Sequence, residues 1–183
     1  MEEQVEKKSK RFNVHRIALL GVLTAGAIAI SVLESFIPSI GIPGVKLGLA
    51  NIIILITLYE LGVLEAIEVN LIRVLVVGLV RGTILSFGFL MSLTGAILSL
   101  GIMILFYLLI KKFSIIAVSV VGSLFHVIGQ ILIAMIYLGT TYVVLYLPII
   151  ALSAIVTGII VGIVSQIVIK TGIIKQQKEK YNF

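Results

Sequence analysis

Fourteen Lys and Arg, eight Glu and two His make up the charged and imidazole side chains of this 183-residue sequence, which contains neither Asp nor Cys. Their absence removes whole chemistries. Without Cys there is no disulfide, thiolate nucleophile or Cys-bound zinc, and without Asp there is no Asp-based triad or Asp-rich metal cage. His15 and His126 are the only imidazoles. The residue types therefore predict no catalytic group, no metal and no cofactor, and a protein that is not an enzyme by itself. What stands out instead is a set of polar residues set within apolar sequence: Lys46, Asn51, Arg73, His126, Gln130 and Tyr146. Together they would make a cationic site with hydrogen-bond donors and acceptors. Such a site suits a small amphipathic anion, whose carboxylate or diphosphate would pair with Arg73 or Lys46 while its apolar part rests on aliphatic walls.

The elements that position these residues are membrane spans. Hydrophobic residues make up 60% of the chain, charged residues only 12%, and the mean hydropathy is +1.27. A soluble domain carries about a quarter of its residues charged, so lipid is the main solvent. Residues 82–110 and 113–169 carry no charge. The second stretch must turn once, and Gly139-Thr140-Thr141-Tyr142 is the place for it. The expected spans are Ile17–Ile37, Leu49–Leu61, Leu64–Val80, Ile84–Ile110, Ile115–Leu138 and Val143–Ile169. Pro38 and Pro43 end the first, and Gly62 joins the second to the third. The fold class is thus an all-α integral membrane protein, a bundle of six transmembrane helices. It is divided into a basic N-terminal segment 1–16, a transmembrane domain 17–169 and a basic tail 170–183.

Orientation follows from the basic residues, which are retained on the cytoplasmic side of short loops. With the N-terminus inside, eleven of the fourteen fall inside: Lys7, Lys8, Lys10, Arg11, Arg16, Lys111, Lys112, Lys170, Lys175, Lys178 and Lys180. Lys46 and Arg81 fall outside and Arg73 lies within the third span. Both termini are then cytoplasmic, in a multi-pass protein of the cell membrane. The net charge of +6 serves this orientation rather than nucleic-acid binding, since the bases sit at chain ends and loops. In this frame the polar set converges on the outer half of the bundle, where ionisable groups mark functional candidates. A structural reading stands beside it: Arg73 pairs with Glu65 or Glu68, Lys46 snorkels to headgroups, and His126 with Gln130 is an interhelical hydrogen-bond pair. Glu34 falls at the outer interface, and Glu60, Glu65 and Glu68 flank the inner turn, where they cap it or meet a basic partner, with a proton or ion relay as the functional alternative.

Small residues recur at four-residue spacing in Gly21-x3-Ala25-x3-Ala29 and Ala154-x3-Gly158-x3-Gly162, a pattern that admits close approach of another helix. It serves internal packing or docking of a second membrane protein. No Gly-x4-Gly-Lys-Ser loop is present, so nucleotide-driven work would fall to a partner.

Several blocks carry a family resemblance over roughly Ile17 to Ser165. Pro43-Gly44-Val45-Lys46-Leu47-Gly48-Leu49-Ala50-Asn51, Leu58-Tyr59-Glu60-Leu61-Gly62 with Glu65-Ala66, Ser92 to Ser99, Gly122 to Gln130 and Tyr146-Leu147-Pro148 with Thr157-Gly158 follow in order. They resemble the bacterial family known both as heptaprenyl diphosphate synthase component I and as the Gx transporter family. Val127 departs from it, standing where the pattern has Asn after His, which bears on the ligand if that position binds one. The transporter name implies the six-helix substrate-binding S component of an energy-coupling factor (ECF) importer. Such a component docks through small residues of its first helix, here Gly21, Ala25 and Ala29, on a transmembrane T subunit driven by two cytoplasmic ATPase subunits. The synthase name implies a membrane subunit associated with a polyprenyl diphosphate synthase catalytic subunit. This chain would be its noncatalytic partner, because it has no Asp-rich motif to hold Mg²⁺-diphosphate. The two readings meet if the small-molecule substrate is an isoprenoid-quinone precursor.

Overall fold

The structure is a computed structural model that describes residues 14–36, 48–109 and 113–181. Lys46 and the rest of the Pro43–Leu47 block lie outside the described residues, as do residues 1–13 and Lys111 and Lys112. Every described element is helical, with no strand among them: α1 Val14–Glu34, α2 Asn51–Glu60, α3 Val63–Val80, α4 Phe87–Leu109, α5 Ile115–Leu138, a 3-10 turn Thr141–Tyr146, α6 Leu147–Thr171 and α7 Ile173–Tyr181.

Length and composition divide these helices. α1, α4, α5 and the run Thr141–Gln176 are long and apolar enough to cross a membrane. Their outward faces are apolar, as Val22, Leu33, Leu108, Ile136, Leu152 and Ile167 show by their exposure. A packed helical core with an apolar exterior is the signature of a multi-pass membrane protein, in which backbone groups are satisfied within each helix. α3 has 18 residues and carries Glu65, Glu68 and Arg73. α2 has only ten. At about 1.5 Å per residue it covers about half of a hydrocarbon core about 30 Å thick, so the expected second span is a half-length helix in this structure. It is also apolar nearly all round, with Ile54, Leu55, Ile56 and Leu58 buried. This is the pattern of a helix enclosed by others. α1, α3 and α6 pack around it, and α4 and α5 touch it more lightly.

The turns fall where the sequence places them. Gly62, at φ 126°, joins α2 to α3 in a conformation open chiefly to glycine. Gly139, at φ 62°, ends α5 in the left-handed region, and Thr140 then caps the 3-10 turn. That turn delays α6 to Leu147, four residues later than expected. Ser114 opens α5 by accepting the backbone N–H of Ala117 at 3.1 Å.

Small residues set how close the long helices come. A Cβ on Gly129 of α5 would lie 2.8 Å from Gly95 Cα and 2.9 Å from Thr94 O on α4. On the other side of α5, a Cβ on Gly158 or Gly162 of α6 would lie 2.8 Å from Val120 Cα or 2.7 Å from Ile116 Cα. The α6 stripe is thus internal packing, and α5 is clasped between α4 and α6. The α1 stripe faces the other way: Gly21, Ala25 and Ala29 are exposed, and a Cβ on Gly21 would meet nothing within 4 Å.

Candidate functional site

Toward one end of the bundle an apolar core packs Leu55, Leu58, Ala66, Val69, Leu100, Met103 and Val118 together. Polar side chains collect at the other end of the same helices. Helical spacing puts Asn70 and Arg73 on one face of α3, and Arg73 Nη2 donates to Asn70 Oδ1 at 2.7 Å while Asn70 Nδ2 donates to Ala96 O at 3.1 Å. Arg73 is therefore anchored from below by an amide that is itself fixed to α4. Its Nε is buried and has no hydrogen-bond partner among the described residues.

Opposite Arg73 stands Glu34, the last residue of α1. Its carboxylate accepts the backbone N–H of Gly48 and interacts with the Arg73 charge. Both side chains are buried, at 5% and 4% exposure. Ser31, one turn before Glu34, joins them with Ser92 of α4 and His126 of α5 around a cavity of about 10 Å³, room for about one water. His126 Nε2 lies 3.1 Å from Gln130 Nε2, and Gln130 Oε1 is buried without a partner among the described residues. Asn51 Nδ2 donates to Ser99 Oγ at 3.2 Å. Gly48 completes the wall, and a Cβ there would lie 3.3 Å from Asn51 Nδ2 and 3.7 Å from the His126 ring.

A second cavity of about 120 Å³ shares Val74, Val77 and Ser92 with the first. Arg81, Thr83, Ser86, Gly78 and Phe89 line the rest of it, between the end of α3 and the start of α4. The two cavities thus share a wall, the larger beside the exposed Arg81 and the smaller among Glu34, Arg73 and His126.

Of the residues expected at the site, Arg73 and His126 line the inner cavity, while Gln130 and Asn51 lie in the polar layer beside it. Lys46 is outside the described residues. Tyr146 ends the 3-10 turn half-exposed and lines neither cavity. Glu34 was expected at the interface and is instead buried inside the site. Ser31 and Ser92 also belong to it. The proposed ion pairs of Arg73 with Glu65 or Glu68 are not formed: Glu65 pairs with Arg16 of α1, and Glu68 is exposed.

This polar layer in an apolar helical bundle defines a membrane protein with a buried polar site near one end. Residues 23–168 match the family described as heptaprenyl diphosphate synthase component I, and the chain belongs to that family. No curated protein and no solved structure matches it.

Proposed function

We propose that this protein is the substrate-binding membrane component of an ECF-type importer, taking up a small amphipathic molecule from the outer face of a bacterial cell membrane. The observation that carries this reading is the pair of adjoining cavities, one beside Arg81 and the other lined by Glu34, Arg73 and His126, at the opposite end of the helices from an apolar core. Buried charges within a span are costly, which favours a functional reason for keeping them. In the proposed orientation both termini are cytoplasmic and the bundle has six membrane segments, with α2 as the short one. Lys46, Asn51, Gln130 and Tyr146 would join Arg73 and His126 in holding the ligand at successive depths. The exposed Gly21, Ala25 and Ala29 face of α1 would receive a T subunit, and two ATPase subunits would supply the energy. An isoprenoid-quinone precursor is a cargo that fits both an amphipathic site and the family description.

The family description favours a second reading, a noncatalytic membrane subunit associated with a polyprenyl diphosphate synthase. Mass spectrometry of what copurifies with the tagged chain from its native membrane separates the two. A transport T subunit with ATPases is the expected result. A soluble synthase subunit, with no transport ATPase, would overturn the importer reading.

A further inference from the structure

Ser119, Ser123, His126 and Gln130 recur along α5 at spacings of four, three and four, so they share one face of the helix. All four are at most 3% exposed. At about 1.5 Å per residue this polar file runs about 16 Å from beside the site toward the start of α5. A hydroxyl within a helix commonly donates back to a carbonyl three or four residues earlier, as Thr24, Thr57 and Ser153 do to Leu20 O, Ile53 O and Ile150 O at 2.7–2.8 Å. The Ser119 and Ser123 hydroxyls do not. Both are buried with no hydrogen-bond partner among the described residues, and both lie against glycines of α6. A Cβ on Gly158 would stand 3.0 Å from Ser123 Oγ, and one on Gly162 would stand 3.1 Å from Ser119 Cβ. A glycine Cα–H is a weak donor and cannot accept the hydroxyl proton.

Burying a hydroxyl without a partner is unfavourable, so the closed α5–α6 contact holds two groups that water would satisfy. Its glycine faces also present no side chain that must change rotamer when one helix shifts over the other. Val118, the residue before Ser119, belongs to the apolar core. At that level of the bundle α5 is thus apolar on one side and carries hydroxyls on the other. We propose that the α5–α6 contact is a seam that parts to admit water from the end of the bundle opposite the site, and that the Ser119 and Ser123 hydroxyls line the route so opened toward His126. As an exit for the polar head of a ligand, the route rests on the binding reading above; the parting of the helices does not, and it is measured without a ligand.

The chain has no cysteine, so Ser119→Cys and Ser123→Cys each place a single thiol in the seam with little change of volume. The full chain is purified in lipid nanodiscs and treated with 2-(trimethylammonium)ethyl methanethiosulfonate, a small cation that reaches thiols through water and reacts with the thiolate. Val118→Cys, at a position 1% exposed in the apolar core, is the buried control. Both seam variants are expected to react at least about tenfold faster than this control, because local parting of α5 and α6 exposes them and not Val118. A rate at either seam position no faster than at Val118→Cys would overturn the seam, and would leave the binding reading to the copurification experiment. A second measurement does not depend on the cysteine variants folding. Ser119→Ala/Ser123→Ala removes both unpartnered hydroxyls and is expected to raise the midpoint of thermal unfolding by at least about 2 °C. An unchanged or lower midpoint would show the hydroxyls to be satisfied in the closed contact and would likewise overturn the proposal.

Discussion

The opposed charges of Glu34 and Arg73 make a stability prediction whose sign is unusual: two substitutions together should cost less than either alone. Arg73→Met removes the positive charge that interacts with Glu34 across the inner cavity, where the Glu34 carboxylate also accepts the Gly48 N–H. Stranding one member of a buried pair costs about 3–5 kcal/mol. Glu34→Gln keeps an oxygen for the Gly48 N–H but strands the guanidinium, which retains Asn70 as its hydrogen-bond partner among the described residues. Its cost falls in the same range or slightly below it, about 2–4 kcal/mol, because one charge-assisted hydrogen bond remains. The double variant buries no net charge, and Met replaces most of the Arg stem, so it should fall within about 1–2 kcal/mol of the wild type. The cycle then closes with a coupling of at least about 3 kcal/mol. The assay is reversible unfolding in mixed micelles by titration with a denaturing detergent, followed by far-UV circular dichroism, for the four proteins side by side. Additive losses, with the double variant as unstable as the two singles combined, would show that the two charges do not sense each other and would remove the site described above.

Three further outcomes follow from the geometry. Gly129→Ala puts a methyl 2.8–2.9 Å from backbone atoms of Gly95 and Thr94, where no flexible side chain can yield. It should lower stability by about 1–3 kcal/mol, whereas Gly21→Ala, facing open space, should leave the unfolding midpoint within about 1 °C of the wild type, with the reverse order refuting the packing. Arg16→Ala separates α1 from the start of α3 at the Glu65 pair; Arg16 is partly accessible but Glu65 is buried, so the expected loss in the same unfolding assay is about 1–3 kcal/mol, between the surface and buried limits, and no measurable loss would show the pair to be idle. Ala25→Leu should reduce copurification of partner membrane subunits while leaving the unfolding midpoint unchanged, and undiminished complex yield would assign the exposed stripe to lipid contact.

Helices and turns were legible because apolar runs and glycine positions are local signals. α5 begins and ends where Ser114 and Gly139 place it, and the α2–α3 junction turns on Gly62. The length of α2 was not. An apolar window of thirteen residues from Leu49 to Leu61 reads as a short span, but Gly48 at φ 81° and the turn through Leu49 and Ala50 take up its first part. The delayed start of α6 has a similar origin, since the β-branched and aromatic residues Thr141 to Tyr146 continue the apolar run without adopting the α conformation. Hydropathy cannot register that difference. The two small-residue stripes looked equivalent in sequence and have opposite surroundings, because spacing shows that a face is smooth and only the packing partner shows whether it is covered.

Glu34 was missed for an instructive reason. Counted along the chain it lies four positions before Pro38, and an acidic side chain at that depth reads as one that reaches water at the interface. Burial there depends on what the rest of the chain brings to it. Gly48, fourteen positions on, supplies a backbone donor, and Arg73, thirty-nine positions on, supplies the opposite charge. Neither partner is detectable from the periodicity of α1. Arg73, by contrast, announced itself, since a lone Arg in the middle of an apolar helix requires a partner wherever it points. On the sequence alone that partner is expected among the glutamates of its own helix, Glu65 and Glu68. The fold instead spends Glu65 on Arg16, which ties the beginnings of α1 and α3 together, and turns Arg73 toward the far end of α1. The first and third helices are thus joined by opposite charges at both ends, one pair partly open to solvent and the other buried. The buried pair encloses the cavity, which makes holding these two helices together and receiving a ligand competing uses of the same two charges.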